Sequence, residues 1–153
     1  MSAIPKTFDV NERIVRVLYF PKLVTKDGKS IRALAFKSPK EIDEVSVIRL
    51  EYSSADFCKV HGKKHEVPSY DRAYFGLAVI KVDEIKSCNA DIAYTPDLPY
   101  NPAHSDIKIG FVCERGQELP AEYTRIVNHL AKKARLYKDP DISTNIWNGE
   151  DLK

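Results

Sequence analysis

With 153 residues, 43% of them hydrophobic and 30% charged, the chain has the composition of one ordinary globular domain and not of a disordered segment. No apolar run approaches the roughly 20 residues needed to cross a bilayer. A net charge of +2 argues neither for nor against a polyanionic partner.

The first residues, Met1-Ser-Ala-Ile-Pro-Lys6, show no apolar stretch of a secretory signal. Arg13-Ile-Val-Arg-Val-Leu-Tyr-Phe20 is rich in β-branched and aromatic residues and predicts a strand that Pro21 stops. Lys26-Asp-Gly-Lys29 is a turn, and Ile31 to Phe36 reads as a second strand, paired with the first as a loose hairpin. Ser38-Pro-Lys-Glu41 has the signature of a helix start, for a helix of about a turn or two. Val45 to Tyr52 returns to strand character. Between Ser53 and Pro68 two forms stay open: a short helix capped by Ser54 and ended by Gly62, or a polar hairpin turning at Gly62-Lys63.

Ala73-Tyr-Phe-Gly-Leu-Ala-Val-Ile80 is the most apolar run and predicts a central strand buried on both faces. Val82 to Lys86 reads as a single helical turn. Ala90 to Tyr94 and Ser105 to Val112 then read as antiparallel neighbours. Pro120 opens the one long helix, Ala121 to Tyr137, with Tyr123, Ile126, Val127, Leu130, Ala134 and Tyr137 on one apolar stripe. The expected fold is α+β: a single mixed, mostly antiparallel sheet of about five to six strands packed against that C-terminal helix. Residues 1–138 would form the domain and 139–153 a C-terminal tail.

Thr95 to His104 is the most informative stretch, because Pro96, Pro99 and Pro102 stiffen it while Asp97, Tyr100, Asn101 and His104 ride on it. If a strand begins at its exit, His104 and Asp106 share a face, with Asp91 on a neighbouring strand as a third candidate. Histidine oriented by a carboxylate is a usable acid–base pair near neutral pH. The same loop has a plainer use, with Asn101 and His104 bonding backbone groups that the prolines leave unpaired. Arg32, Ser46 and Arg49, all on predicted strands, are candidates to anchor an anion. Tyr94, Tyr100 and Trp147 are candidate interface aromatics.

Cys58-x2-His61-x3-His65, with Cys88 or His104 as a remote partner, offers zinc-ligand types but lacks a second close pair, so no metal and no cofactor is expected. Cys58, Cys88 and Cys113 are odd in number and irregularly spaced, as free thiols in a reducing cytoplasm are. Arg125, His129, Lys132, Lys133, Arg135 and Lys138 give the last helix a basic face. Cations also suit a helix C-terminus, no nucleic-acid motif accompanies them, and Asp139, Asp141, Glu150 and Asp151 lie close in sequence.

Arg32-x3-Phe36, Ser46-Val-x-Arg49, Tyr74-Phe-Gly76 and Asn101-Pro-Ala-His104-x2-Ile107, in that order, resemble the landmarks of a family of small bacterial proteins. The resemblance spans roughly residues 30 to 110, with Asn-Pro-Ala-His its distinctive part. It carries no activity. It implies a bacterial cytosolic origin and that these positions form one surface.

Lacking a complete catalytic set, the chain reads first as a non-enzymatic cytosolic module that docks a partner protein through the proline loop. Arg32, Arg49, Tyr100, Asn101, His104 and Trp147 are its expected binding residues. The alternative is a small enzyme for a nucleotide-like or phosphorylated substrate. His104 would be its general acid or base, Asp106 or Asp91 the orienter, and Arg32 or Arg49 the anion anchor. Nucleic-acid binding through the last helix is a weaker alternative, and no membrane partner is expected.

Overall fold

The two most apolar segments pair along their whole length. In the computed structural model, which describes residues 3–153, β1 (Arg13–Pro21) and β3 (Arg72–Lys81) run antiparallel from Arg13/Lys81 to Pro21/Arg72, with a bulge at Leu18/Tyr19. On the other side of β1 lies β2 (Val45–Arg49), then β5 (His104–Lys108) and β4 (Asp91–Tyr94); β6 (Arg135–Lys138) closes the far edge on β3. Every neighbouring pair of this six-stranded sheet is antiparallel. No helix among the described residues is long and apolar enough to cross a membrane.

One departure from regularity shapes everything that follows. The β1–β2 ladder holds only Ile14/Arg49 and Val15/Ile48, after which the two strands part. Backbone groups in such a split need other partners.

Three helices dress the sheet: α1 (Ala55–Lys64), α2 (Val82–Ser87) and α3 (Ala121–Lys133). α1 settles the open question over 53–68. Ser54 Oγ accepts from Phe57 N–H at 3.0 Å, an N-cap, and the helix continues through Gly62. Gly62 does not end the helix; it lets α1 touch the sheet. A Cβ there would sit 2.5 Å from Val17 Cγ1 and 3.0 Å from Tyr74 Cδ1.

α3 buries Tyr123, Ile126, Val127 and Leu130, four of the six expected stripe residues, but it is shorter than the expected 121–137. The chain turns extended at Ala134 and joins β3 as β6, because β3 offered a free edge. Gly76 admits it: a Cβ at that position would lie 2.2 Å from Tyr137 O.

Residues 31–36 do not form a strand either. They make one bridge, Val24/Ile31, and then a 3-10 turn over Ala33–Phe36 that buries Ala35 and Phe36 under α3. Both edges of β1 are already occupied by β2 and β3, so this segment has no ladder to join. No helix forms at Ser38–Glu41, and β2 gives way to a 3-10 turn at Leu50–Tyr52. β5 stops at Lys108, where the Asp43 carboxylate accepts the N–H groups of Ile109 and Gly110.

Residues 139–153 lie against the body. The buried Lys59 ammonium pairs with Asp139 and donates to Asp141 O, Thr144 Oγ1 and Ile146 O, while Leu152 enters the core.

Candidate anion-binding cleft

Where β1 and β2 part, the Arg16 guanidinium takes up one carbonyl of β2 and one of the 3-10 turn at 33–36. Its Nε–H donates to Ala35 O at 2.8 Å and its Nη1 to Ser46 O at 3.1 Å. Beside it stands Arg72, at the start of β3, with its guanidinium carbon 4.8 Å from the Tyr19 ring centroid. Neither guanidinium has a carboxylate partner, and Arg72 makes no side-chain hydrogen bond, among the described residues. Burial first, and then the nearby Arg72 charge, bring the Arg16 pKa down to about 10, so Arg16 stays cationic at neutral pH. Two like charges held together without a counter-ion are a cost to the fold unless an anion joins them.

These arginines line a cavity of about 320 Å³ whose opposite walls carry imidazoles. His61 of α1 and His65 at its C-cap lie one turn apart with ring centroids 4.5 Å apart, and Phe57 stacks on His61 at 5.7 Å. Burial, and then the charges of His65, His104 and Lys64, hold the His61 pKa down to about 4, leaving it neutral near pH 7. Tyr19 joins floor to wall: its ring carries Arg72 while its hydroxyl donates to Gly62 O at 2.9 Å.

The other wall is the proline loop, and it is clamped. Asp97 and Asn101 exchange backbone hydrogen bonds at 3.0 and 2.6 Å, Thr95 N–H donates to His104 O, and Tyr94 Oη donates to Pro102 O. His104 Nδ1 donates to Thr95 O at 2.7 Å, which leaves Nε2 without a protein partner among the described residues. Thr95 Oγ1 donates to Asp106 Oδ2 at 2.8 Å and lies 3.1 Å from His104 Nδ1. Asp106 therefore positions His104 through Thr95 and not directly. Asn101 is 1% exposed, lines the cleft, and leaves both its Oδ1 and Nδ2 without a partner; Asp106 Oδ1 is likewise unpartnered. Unsatisfied buried polar atoms cost about 1–3 kcal/mol each, and they gather here beside His104.

The chain matches no family model, no curated protein and no solved structure.

Of the candidates from the sequence, His104, Asn101, Asp97 and Ser46 line the cleft, Asp97 bringing one carboxylate to the same lining as the arginines. Asp91 does not join them. It sits at the opposite end of β4, paired with Lys108, its carboxylate accepting from Ile92 N–H. Arg49 is no anion anchor: fully buried, it is bonded to Glu12, Pro5 O and Thr7 O and enclosed by the rings of Phe8, Tyr52 and Tyr94. Arg32 lies elsewhere, donating to Lys22 O at 3.0 Å. The quoted landmarks thus do not form one surface.

Trp147 packs within the tail, its backbone N–H on Asp56 and its Nε1–H on Glu150 O. Tyr94 is likewise committed inward, and Tyr100 stays exposed. Cys58 is buried, its thiol pushed up to about 12, while His61 and His65 face the cleft; no three His, Cys, Asp or Glu side chains among the described residues converge as a metal site would need. On the last helix, Arg125 pairs with Glu122, and Arg135 sits on β6 against Glu84, so the basic face is narrower than its sequence suggests.

Arg16, Arg72, His61 and His65 were missed as one site. Arg16 alternates out of place in an apolar strand, which was the available signal. Nothing local says that Arg72, 56 positions later, is its neighbour.

Proposed function

We propose that the cleft binds a phosphorylated, nucleotide-like ligand, with a phosphate on Arg16 and Arg72 and its reacting oxygen against His104 Nε2. The observation that carries this reading is the pair of neighbouring guanidiniums without a carboxylate partner, facing a wall of imidazoles. Guanidinium donors match phosphate oxygens in geometry and charge. His104, with Nδ1–H fixed on Thr95 O, presents Nε2 as a proton acceptor, and the Thr95–Asp106 link keeps the ring in place. The neutral His61 ring offers an uncharged surface for a base. Three buried free thiols fit a reducing, cytoplasmic setting, which belongs to the same proposal.

The test is calorimetric titration with AMP at low salt. Wild type is expected to bind, and Arg72→Gln to bind about 10- to 150-fold more weakly, the equivalent of about 1.5–3 kcal/mol for a lost charged hydrogen bond. His104→Gln is expected to weaken AMP binding less than Arg72→Gln does and to lose any turnover of a phosphoester. Equal binding by wild type and Arg72→Gln would remove the proposal.

A second reading keeps the loop as a docking element for a partner protein. Leu98 and Tyr100 favour it, 69% and 73% exposed on a clamped loop tip. Under it, Leu98→Ser/Tyr100→Ser leaves AMP binding intact and loses a stoichiometric partner in purification from the native host. Recovery of that partner undiminished with the double variant would count against it.

A further inference from the structure

The cleft does not end at the arginines. A second cavity, of about 590 Å³, opens on their other side, and the two share Arg16, Ser46 and Arg72 as lining. The second basin is built differently. Lys37, Lys40 and Glu44 are its charged lining besides the arginines, and Leu34, Leu119 and Tyr123 give it an apolar wall. The paired guanidiniums are therefore a waist between two rooms, not the end of one. A single phosphate would fill a small part of either room.

The donors at the waist suit two adjacent phosphates. A guanidinium has five N–H donors. Arg16 uses Nε and one hydrogen of Nη1 on Ala35 O and Ser46 O, which leaves Nη2 and the second Nη1 hydrogen for an anion. Arg72 commits none of its five among the described residues. On each side there is a surface for an organic group: neutral imidazole with the unpartnered Asn101 amide on one, leucine and tyrosine on the other.

Resting on the phosphate reading above, we infer that the ligand is two-headed: two organic groups joined through a pyrophosphate, the bridge on Arg16 and Arg72 and one head in each basin. The His61 and His65 rings give the histidine basin an aromatic surface on which a base can lie, so the head placed there is the base-bearing one. The lysines in the other basin then border the second phosphate.

Di(adenosine-5′) pyrophosphate and AMP carry nearly the same charge, about −2, near neutral pH, so bulk electrostatics does not separate them. Calorimetry with the full chain is expected to give one-to-one binding of the dinucleotide at least about tenfold tighter than AMP, because the second head binds at no further loss of translational freedom. Lys37→Gln/Lys40→Gln and His65→Gln lie in different basins, and each is expected to weaken the dinucleotide. Inorganic pyrophosphate alone should compete with it. A dinucleotide no tighter than AMP, or insensitive to either variant, overturns the two-headed ligand while the phosphate reading stands. Failure of AMP, pyrophosphate and dinucleotide alike to bind overturns both.

Discussion

The molecule holds enclosed cations in two contrasting ways. Arg49 and Lys59 are fully buried, and their donors go to named acceptors: Arg49 to Glu12, Pro5 O and Thr7 O, Lys59 to Asp139, Asp141 O, Thr144 Oγ1 and Ile146 O. These are straps: Arg49 fastens residues 5–12 to the sheet, and Lys59 fastens residues 139–146 to α1. Arg16 sits in the split between β1 and β2, and Arg72 on β3 lines the same cavity; neither has a carboxylate within ion-pair distance among the described residues, and both have donors to spare. A closed set of acceptors marks a structural cation; an open one marks a place where something arrives.

The largest expected effects test the first half of that contrast. Lys59→Met strands Asp139 beside Tyr74, and Glu12→Gln strands Arg49; each should cost about 3–5 kcal/mol in denaturant unfolding, as removing one partner of a buried pair does. Arg72→Gln should change stability by no more than about 1 kcal/mol, because relief of the repulsion with Arg16 offsets the lost cation–π contact with Tyr19 and no hydrogen bond is broken. If Arg72→Gln unfolds the protein as readily as Lys59→Met does, the distinction between strap and site collapses. The same substitution should instead show in ligand binding, at the 10- to 150-fold given above.

Next in size comes the wall. Gly62→Ala puts a methyl where Val17 and Tyr74 already stand and should cost about 1–3 kcal/mol. Because Gly62 O also receives the Tyr19 hydroxyl, the methyl should loosen the link between α1 and the floor under Arg72, and AMP affinity should fall with stability. Loss of stability with unchanged affinity would show that α1 is no part of the binding wall. Gly62→Ser, larger still, should be worse on both counts.

The same contrast explains what was legible in the sequence. β1, β3 and α2 were readable because their local pattern and their tertiary fate agree. Residues 31–36 have strand composition but became a 3-10 turn, since whether a strand forms depends on a free edge elsewhere. Arg135-Leu-Tyr-Lys138 continued a helical stripe and yet left it, because β3 had such an edge and Gly76 admitted a close neighbour. Both outcomes rest on pairings between distant segments that no local window contains. For the site, the loop's own groups, Asn101 and His104, were legible from proline spacing. Arg49 misled, because an arginine on a strand looks the same in sequence whether it faces a ligand or Glu12.

The smallest effect concerns His61 and acts through pH. Its pKa in the folded protein is about 4, against an ordinary value near 6.5, with burial the main cause and His65, His104 and Lys64 adding to it, opposed by Asp97. Between those values the unfolded chain binds a proton that the fold resists, so stability falls as pH drops from about 6.5 toward 4 and this contribution levels off below. His61→Gln should flatten that part of the profile. An anion on Arg16 and Arg72 reverses the pressure on the ring, because negative charge nearby favours imidazolium. The His61 Cε1–H resonance should therefore titrate near 4 in the free protein and clearly higher in the presence of sulfate, whose charge is constant over this range. A His61 titration indifferent to sulfate would mean that no anion reaches the waist of the cleft.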